Sequence, residues 1–340
     1  MGHYRHSLIS LTEELTQLAY LSQLFYPETM AQQHKASLLL QKHGKLEVAT
    51  RQTPVPQRGE ALVKVTAAAV NPLDWKIIDY GIFVENFPAV LGLNGAGVIH
   101  AVGPEATGFQ VGDRVLFQGT FTATDQAAYQ EFAIVETDII AKTPDNISDD
   151  QASTISTGAI TAYYGLFQRS AIQFARIAGF SHIVTTASSQ HTDFLKSLGA
   201  SHVFDRDANV ETIQSAFPTP VDLVFDTISI DSTQSLAFDV LTTPSPVPGA
   251  RLSIVLNPVD SLKKKNAEDK IVVDEIFGSS QMFRDLSVPF WKKVAQWIEQ
   301  GKLVPNPVQL VNGGLAGIPA ALDLSRKGVS GVKLVVRPWE

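Results

Sequence analysis

Thr161-Ala-Tyr-Tyr-Gly-Leu-Phe-Gln-Arg-Ser170 runs directly into Ala171-Ile-Gln-Phe-Ala-Arg-Ile-Ala178, and the reading of this junction decides the fold. Downstream, strand-like segments at 182–187, 202–205, 221–226 and 251–256 alternate with helical segments at 192–198, 208–216 and 231–241. Such βαβα alternation predicts a parallel sheet covered on both faces. In a dinucleotide-binding sheet, the first strand and a glycine-rich turn lie just upstream and admit a pyrophosphate to a helix N-terminus. The junction has no glycine cluster, and between Leu166 and Ala178 no Gly or Pro stops a helix. Ile160, Tyr163, Phe167, Ala171, Phe174 and Ala178 share one face at helical spacing, so the segment reads as one long helix. A strand takes about five residues and the fingerprint turn about six, more than the junction can hide. The neighbouring strands are expected to lose a central partner, leaving an apolar edge unless another segment fills it.

Upstream the pattern is different. Residues 35–50 predict two short strands with His43-Gly44 as their turn, and Ala61 to Val70 predict a long apolar strand. More strands are expected at 95–102, 114–117 and 130–135, split by Gly103, Gly108 and Gly112-Asp113, which together indicate a compact β-rich unit. Ser148 and Asp149 can cap a helix to about 156, and a second helix starts near Gly158. A final helix, Phe290 to Gln300, precedes the strand Lys333-Leu-Val-Val-Arg337.

Composition bounds the function. A chain of 340 residues allows about two domains. A net charge of -7 argues against a nucleic-acid surface. No apolar run approaches the roughly 20 residues that span a bilayer, so no membrane partner and a soluble, cytoplasmic chain are expected. Cysteine is absent, which excludes disulfides, thiolate nucleophiles and every cysteine-containing zinc site. The eight histidines, at 3, 6, 34, 43, 100, 182, 191 and 202, form no H-x-x-x-H pair, and no metal is expected.

Residues 1–29 read as an N-terminal extension. Leu8, Leu11, Leu15, Leu18 and Leu21 follow helical spacing, and Ser10 with Glu13 matches a capping box. Arg5 against Glu13 and Glu14 makes a poor organelle-targeting peptide. Either the segment is a docking helix, or translation begins at Met30.

Gly92-Leu-Asn-Gly95-Ala-Gly97 imitates a nucleotide fingerprint with its spacing reversed, and it leads into the strand Val98–Val102 rather than a helix. The fingerprint requires a strand before and a helix after it, so a turn of the β-rich unit is the better reading.

Several motifs carry a family resemblance over most of 35–337: Asn71-Pro-Leu-Asp-Trp-Lys76, Leu91 to Gly103, Phe109-Gln-Val-Gly-Asp-Arg-Val115, Thr157-Gly-Ala-Ile-Thr-Ala-Tyr163, Lys196-Ser-Leu-Gly-Ala200 and Gly313 to Ala320. Together they resemble the zinc-free, quinone-oxidoreductase-like branch of the medium-chain dehydrogenase/reductase superfamily, with fungal trans-acting enoyl reductases as the nearest subgroup. The resemblance implies an α/β fold: a GroES-like β-barrel catalytic domain at 30–150 and 288–340, and a truncated Rossmann-like domain at 151–287 lacking its first strand and glycine loop. In zinc-dependent relatives a Gly-His-Glu motif stands where Gly92-Leu93-Asn94 stands here, and Leu93 cannot ligate a metal. The gap at Ser170–Ala171 is read as a genuine deletion or as a faulty gene model, such as a skipped exon.

By resemblance the nicotinamide lies between the two domains. Asn71, Asp74 and Lys76 face the cofactor and reacting carbon, with Lys76 the catalytic cation, and Thr157 and Thr161 approach the ribose or nicotinamide. Ser188, Ser189, Gln190 and His191 follow the strand Ile183–Ala187 where the adenosine ribose would lie. Serines there, in place of the acid that binds an NAD ribose, favour NADPH, and Arg206 adds charge or stacks on adenine. Leu256, Val329 and Ser330 also resemble cofactor contacts. Each has a bland counterpart: Asn71-Pro72 as a turn, Asp74 with Lys76 as a solvated pair, Ser188 and Ser189 as helix caps.

The expected function is NADPH-dependent reduction of a small-molecule or carrier-bound unsaturated carbonyl substrate, on a fungal secondary-metabolite pathway, by a monomer or homodimer. The alternative is a cofactor-defective, non-catalytic relative that binds or scaffolds. A third reading has Lys263-Lys264-Lys265 and Lys270 contacting an acidic carrier of a polyketide synthase partner, although Glu268 and Asp269 dilute that charge.

Overall fold

The computed structural model describes residues 32–167 and 172–340. The leucine-spaced segment 1–29 and the helix expected across Ser170–Ala171 therefore lie outside the described residues or reach beyond them. Helices Ser156–Phe167 and Ile172–Ile177 stand on either side of the junction. The described members of the expected apolar face do converge: Ile160, Tyr163 and Phe174 share one core with Phe290 and Trp291 of helix Arg284–Glu299.

Fifteen strands are formed among the described residues, in chain order β1 (Gln33–Leu39), β2 (Leu46–Gln52), β3 (Glu60–Ala69), β4 (Ala89–Val90), β5 (Asn94–Val102), β6 (Arg114–Gln118), β7 (Phe132–Glu136), β8 (Ile140–Lys142), β9 (Val184–Thr186), β10 (His202–Phe204), β11 (Leu223–Asp226), β12 (Arg251–Ile254), β13 (Val272–Glu275), β14 (Val308–Leu310) and β15 (Lys333–Val336). β1 and β2 form the expected hairpin, with His43 in the left-handed region at its turn. The largest sheet runs β14-β15-β3-β5-β6-β8, and β7 also pairs with β3. It does not close on itself, so the β-barrel expected by resemblance is instead an open sheet beside the small sheet β2-β1-β4.

The reversed glycine motif is explained by close packing. β5 starts at Asn94, and a Cβ on Gly95 would sit 2.2 Å from the Phe117 ring, while one on Gly97 would sit 2.1 Å from the Lys64 carbonyl oxygen. Gly92, with φ of 103°, leaves room for the Tyr129 ring. These glycines serve strand-to-strand approach in the large sheet, where side chains do not fit.

The parallel strands fall into two pieces. β9 pairs only with β10, and β11, β12 and β13 form a separate three-stranded sheet, with no ladder between β9 and β11 among the described residues. The break falls where the sequence lacks a strand. Val184 and Phe204 nevertheless pack on the core of the β11–β13 piece, so apolar contact partly covers the edge that the missing central strand was expected to leave. Helix Ser156–Phe167 presses on β11, since a Cβ on Gly165 would lie 3.1 Å from the Phe225 ring.

Candidate functional site

Helix Pro72–Tyr80 places the first group of site residues. Asn71 is its N-cap and Asp74 its third residue, and the Asn71 amide donates to Asp74 Oδ2 over 2.7 Å. Asn71 and Pro72 therefore open a helix rather than form only a turn. Asp74 is fully buried, and the same Oδ2 also accepts from the Tyr129 hydroxyl at 2.8 Å. The Lys333 ammonium donates to Asn71 Oδ1 from β15, and Asn71 Nδ2 donates to Asn94 Oδ1 at 3.1 Å. Asp74 thus belongs to a buried network, not to a solvated pair with Lys76.

Burial governs the charges here. It pushes the Asp74 carboxyl up to about 6, against the Asn71 amide, the Tyr129 hydroxyl and the positive charge of Lys333. Burial also lowers the Lys333 ammonium to about 8, opposed by Asp74, and drives the Tyr129 phenol well above its ordinary value. Lys76 stands apart from this network. It is half-buried, two residues on from Asp74 and so on a different side of the helix, with its ammonium 5.7 Å from the Trp75 ring centre.

Asn94 links this network to the next helix. Its Oδ1 accepts from the Thr157 amide at 3.1 Å, its Nδ2 donates to the Ser153 carbonyl, and the Thr157 hydroxyl donates to the Leu93 carbonyl. Gln118, at the end of β6, then ties in the loop after β13. Its Nε2 donates to the Gly278 carbonyl at 2.7 Å, and its Oε1 accepts from the Ser280 amide and hydroxyl. Gly278 lies against Thr161, where a Cβ would come within 2.1 Å of Oγ1. Asn71, Asp74, Thr157 and Thr161 are therefore connected through Asn94 and Gln118. Lys76 is not.

A second group forms at the carboxyl edge of β9 and β10. Ser188 lies two residues beyond Thr186, Arg206 two beyond Phe204, and those two strand residues are paired in register. Gln190 Nε2 donates to Ser330 Oγ at 3.2 Å, and His191 Nε2 lies 2.8 Å from the same oxygen. Gly331, with φ of 70°, makes the approach possible, because a Cβ there would meet the His191 ring at 2.5 Å. Ser188 precedes the short turn Ser189–His191 without a side-chain capping bond, so helix capping does not account for it. Val329 and Leu256 are both exposed, Val329 beside Ser330 and Leu256 two residues past β12.

Asn94, Gln118, Tyr129 and Lys333 escaped sequence reasoning as functional residues. Asn94 was visible inside a quoted motif, but nothing local marks a glutamine ending a strand or a lysine beginning one. A groove of about 550 Å³ lies elsewhere, between the β1–β2 turn and helices Pro72–Tyr80 and Ile318–Lys327, and no residue expected at the site lines it.

Residues 57–145 match the alcohol dehydrogenase GroES-like domain, and residues 169–246 match the family described as zinc-binding dehydrogenase. The chain is 32% identical over 294 residues to a zinc-binding alcohol dehydrogenase domain-containing protein, cipB, of Emericella nidulans, covering 83% of this chain and 90% of that one. It is 30% identical to the trans-enoyl reductase tndF of Aspergillus flavipes over 351 aligned positions, covering 90% of this chain and 99% of the other. That alignment is longer than the chain itself, so the relative has residues this chain lacks. An alcohol dehydrogenase superfamily protein of Novosphingobium aromaticivorans has the same fold, with a TM-score of 0.76 at 22% identity, covering 89% of this chain and 99% of that one.

Zinc, implied by the name of one matching family, does not fit the donors present. The chain has no cysteine, Leu93 offers no ligand, and the described residues contain no group of three or more His, Asp or Glu placed to hold a metal. No helix among the described residues is long and apolar enough to cross a membrane. On these matches and this fold, the chain belongs to the medium-chain dehydrogenase/reductase superfamily of oxidoreductases.

Proposed function

We propose that the chain reduces the carbon–carbon double bond of a conjugated enone or enoyl thioester with NADPH and without a metal. The observation that carries this reading is the network that brings Asn71, at the start of one helix, together with Thr157 and Thr161 of another through Asn94 and Gln118. The trans-enoyl reductase name of the Aspergillus flavipes relative supports the reaction class.

The residues fit a dinucleotide at two of its parts. Asn71, Thr157 and Thr161 would hold the nicotinamide and its ribose. Ser188, Ser189, Gln190, His191, Arg206 and Ser330 would hold the adenosine end, where Ser188 and Ser189 stand in place of the acid that binds an NAD ribose. The junction 168–171, where the family's diphosphate cradle would belong, is too short for its strand and turn and lies outside the described residues. When bound, the cofactor supplies a hydride to the β-carbon. The chain's own part is to position the substrate and to aim donors at the carbonyl oxygen as it gains negative charge. Lys76 is the proposed donor at the reacting end, because no ion pair neutralises it among the described residues. The division into domains at 30–150 with 288–340, and at 151–287, belongs to the same proposal.

A carrier-protein partner draws less support. Lys263 pairs with Asp260, Lys265 with Asp239 and Lys270 with Glu268, which leaves Lys264 as the lysine of that run without an ion pair among the described residues. Fluorescence titration with NADPH tests the main reading. Saturable binding, followed by loss of reduced-nicotinamide absorbance on adding an enone, is expected. No saturable binding by this chain favours the cofactor-defective alternative, which the break between β9 and β11 makes concrete. Sequencing the transcript across Ser170–Ala171 decides between a deletion and a faulty gene model.

A further inference from the structure

Three phenylalanines from distant parts of the chain meet at the surface. Phe83 and Phe121 lie 5.1 Å apart between ring centres, and Phe277 completes the triangle at 6.1 Å and 6.2 Å. Phe83 is 49% exposed, whereas Phe121 and Phe277 are half-buried. Ring pairs at these separations attract one another, yet a fully packed core would cover them. An exposed apolar cluster of this kind marks a contact surface.

Its position relative to the candidate site is informative. Phe83 follows the helix that carries Asn71 and Asp74, Phe121 follows the strand that ends on Gln118, and Phe277 precedes Gly278, which touches Thr161. Phe121 and Phe277 thus sit within three residues of a member of the buried network, and Phe83 lies three residues past the end of the helix that Asn71 caps. Phe83 also has a φ of 67°, a left-handed conformation unfavourable for a bulky side chain. A strained backbone that turns an aromatic ring outward beside a site fits a ligand contact better than a folding requirement.

We infer that Phe83, Phe121 and Phe277 form an apolar subsite for the hydrocarbon chain of the substrate, so that the chain selects long acyl or alkyl enones over short ones. This rests on the reductase reading and adds the substrate class. The rings give the hydrocarbon tail a rigid surface at small entropic cost, while Thr161 and its neighbours keep the reacting end.

The test compares crotonyl-pantetheine and dodecenoyl-pantetheine as substrates of the full chain, together with Phe83→Ala and Phe277→Ala. The unaltered chain is expected to have the lower KM for the long substrate. Each substitution should raise that KM by about tenfold, the scale of a lost apolar contact, and leave crotonyl turnover within about twofold. Calorimetric binding of saturated dodecanoyl-pantetheine gives an independent readout and should weaken in parallel. If neither thioester is turned over but the saturated ligand binds and both variants lose it, the reductase reading fails and the subsite stands. Equal affinity for both chain lengths, or equal losses on both, overturns the subsite. So does a change of oligomeric state in Phe83→Ala, measured by sedimentation, without a chain-length effect.

Discussion

The Tyr129 hydroxyl donates to Asp74 Oδ2 over 2.8 Å in a region where neither side chain meets solvent. β7 begins three residues after Tyr129, and Asp74 belongs to the helix that Asn71 caps. The bond therefore anchors that helix, and with it Asn71, to the β-rich part of the molecule. Lys333 approaches Asn71 from β15, so a carboxylate and an ammonium share one buried network through an amide.

Acid should stabilise the fold through Asp74. The Asp74 carboxyl is held at about 6 in the folded chain against an ordinary 3.8, so the folded state binds that proton more tightly than the unfolded state. Its contribution then falls as pH rises from about 4 to about 6 and stays low above, a change of about 3 kcal/mol. Asp74→Asn removes the titration while keeping an acceptor for Tyr129. Urea unfolding at both ends of that window should show the parent losing up to about 3 kcal/mol relative to the variant. Parallel pH profiles would mean that the carboxyl is not held up by burial.

Close approach between β3 and β5 makes a second expectation. Gly97→Ala places a methyl group 2.1 Å from the Lys64 carbonyl oxygen and 2.8 Å from Val63, and neither backbone nor β-branched side chain yields easily. A loss of about 1–3 kcal/mol or more and a lower Tm are expected. Gly158→Ala is the matched control, because nothing lies within 4 Å of its Cβ. As a position in helix Ser156–Phe167, it should be neutral or gain up to about 1 kcal/mol.

Cofactor preference should follow charge at the carboxyl edge of β9. Ser188→Asp puts a carboxylate where a 2′-phosphate would sit, so the Kd for NADPH should rise at least about tenfold more than that for NADH. Arg206→Ala should weaken NADPH alone, by about three- to tenfold, since the guanidinium is exposed and screened. Competitive fluorescence titration measures both. Equal effects on the two nucleotides would remove Ser188 and Arg206 from the proposed phosphate site.

Much of the fold could be read from periodicity and turn residues. Helix 192–198 lies where expected, helix 231–241 extends by one residue, and Ser148 caps Asp149–Ser153 through a capping box with Gln151. β4, β8 and β13 passed unnoticed because strands of two to four residues carry little alternation. The helix expected as the final one, at Phe290–Gln300, begins at Arg284, six residues early, since Pro289 in its second turn looks like a start, and helix Ile318–Lys327 follows it. The site was legible only as motifs. Asn71 and Thr157 stand out in sequence, but their partners Asn94 and Lys333 are 23 and 262 residues from Asn71, and local pattern gives no sign of such pairing.

Gln118 offers the most direct test of how the network supports the site. Its amide satisfies the Gly278 carbonyl and the Ser280 amide and hydroxyl, and Ser280 Oγ in turn accepts from Trp291 Nε1 at 3.0 Å. Gln118→Leu keeps the volume but leaves the Gly278 carbonyl and the Ser280 amide without their partner, at a cost of about 1–3 kcal/mol for each unsatisfied buried group. The loop would then loosen where Gly278 presses on Thr161. Trp291→Phe removes only the outer donor and leaves Gln118 bonded to the loop. Both variants should be less stable, but only Gln118→Leu should raise the Kd for NADPH, by about tenfold. If both change affinity alike, stability alone accounts for the loss, and the contact between Gly278 and Thr161 does not set the nicotinamide end of the site.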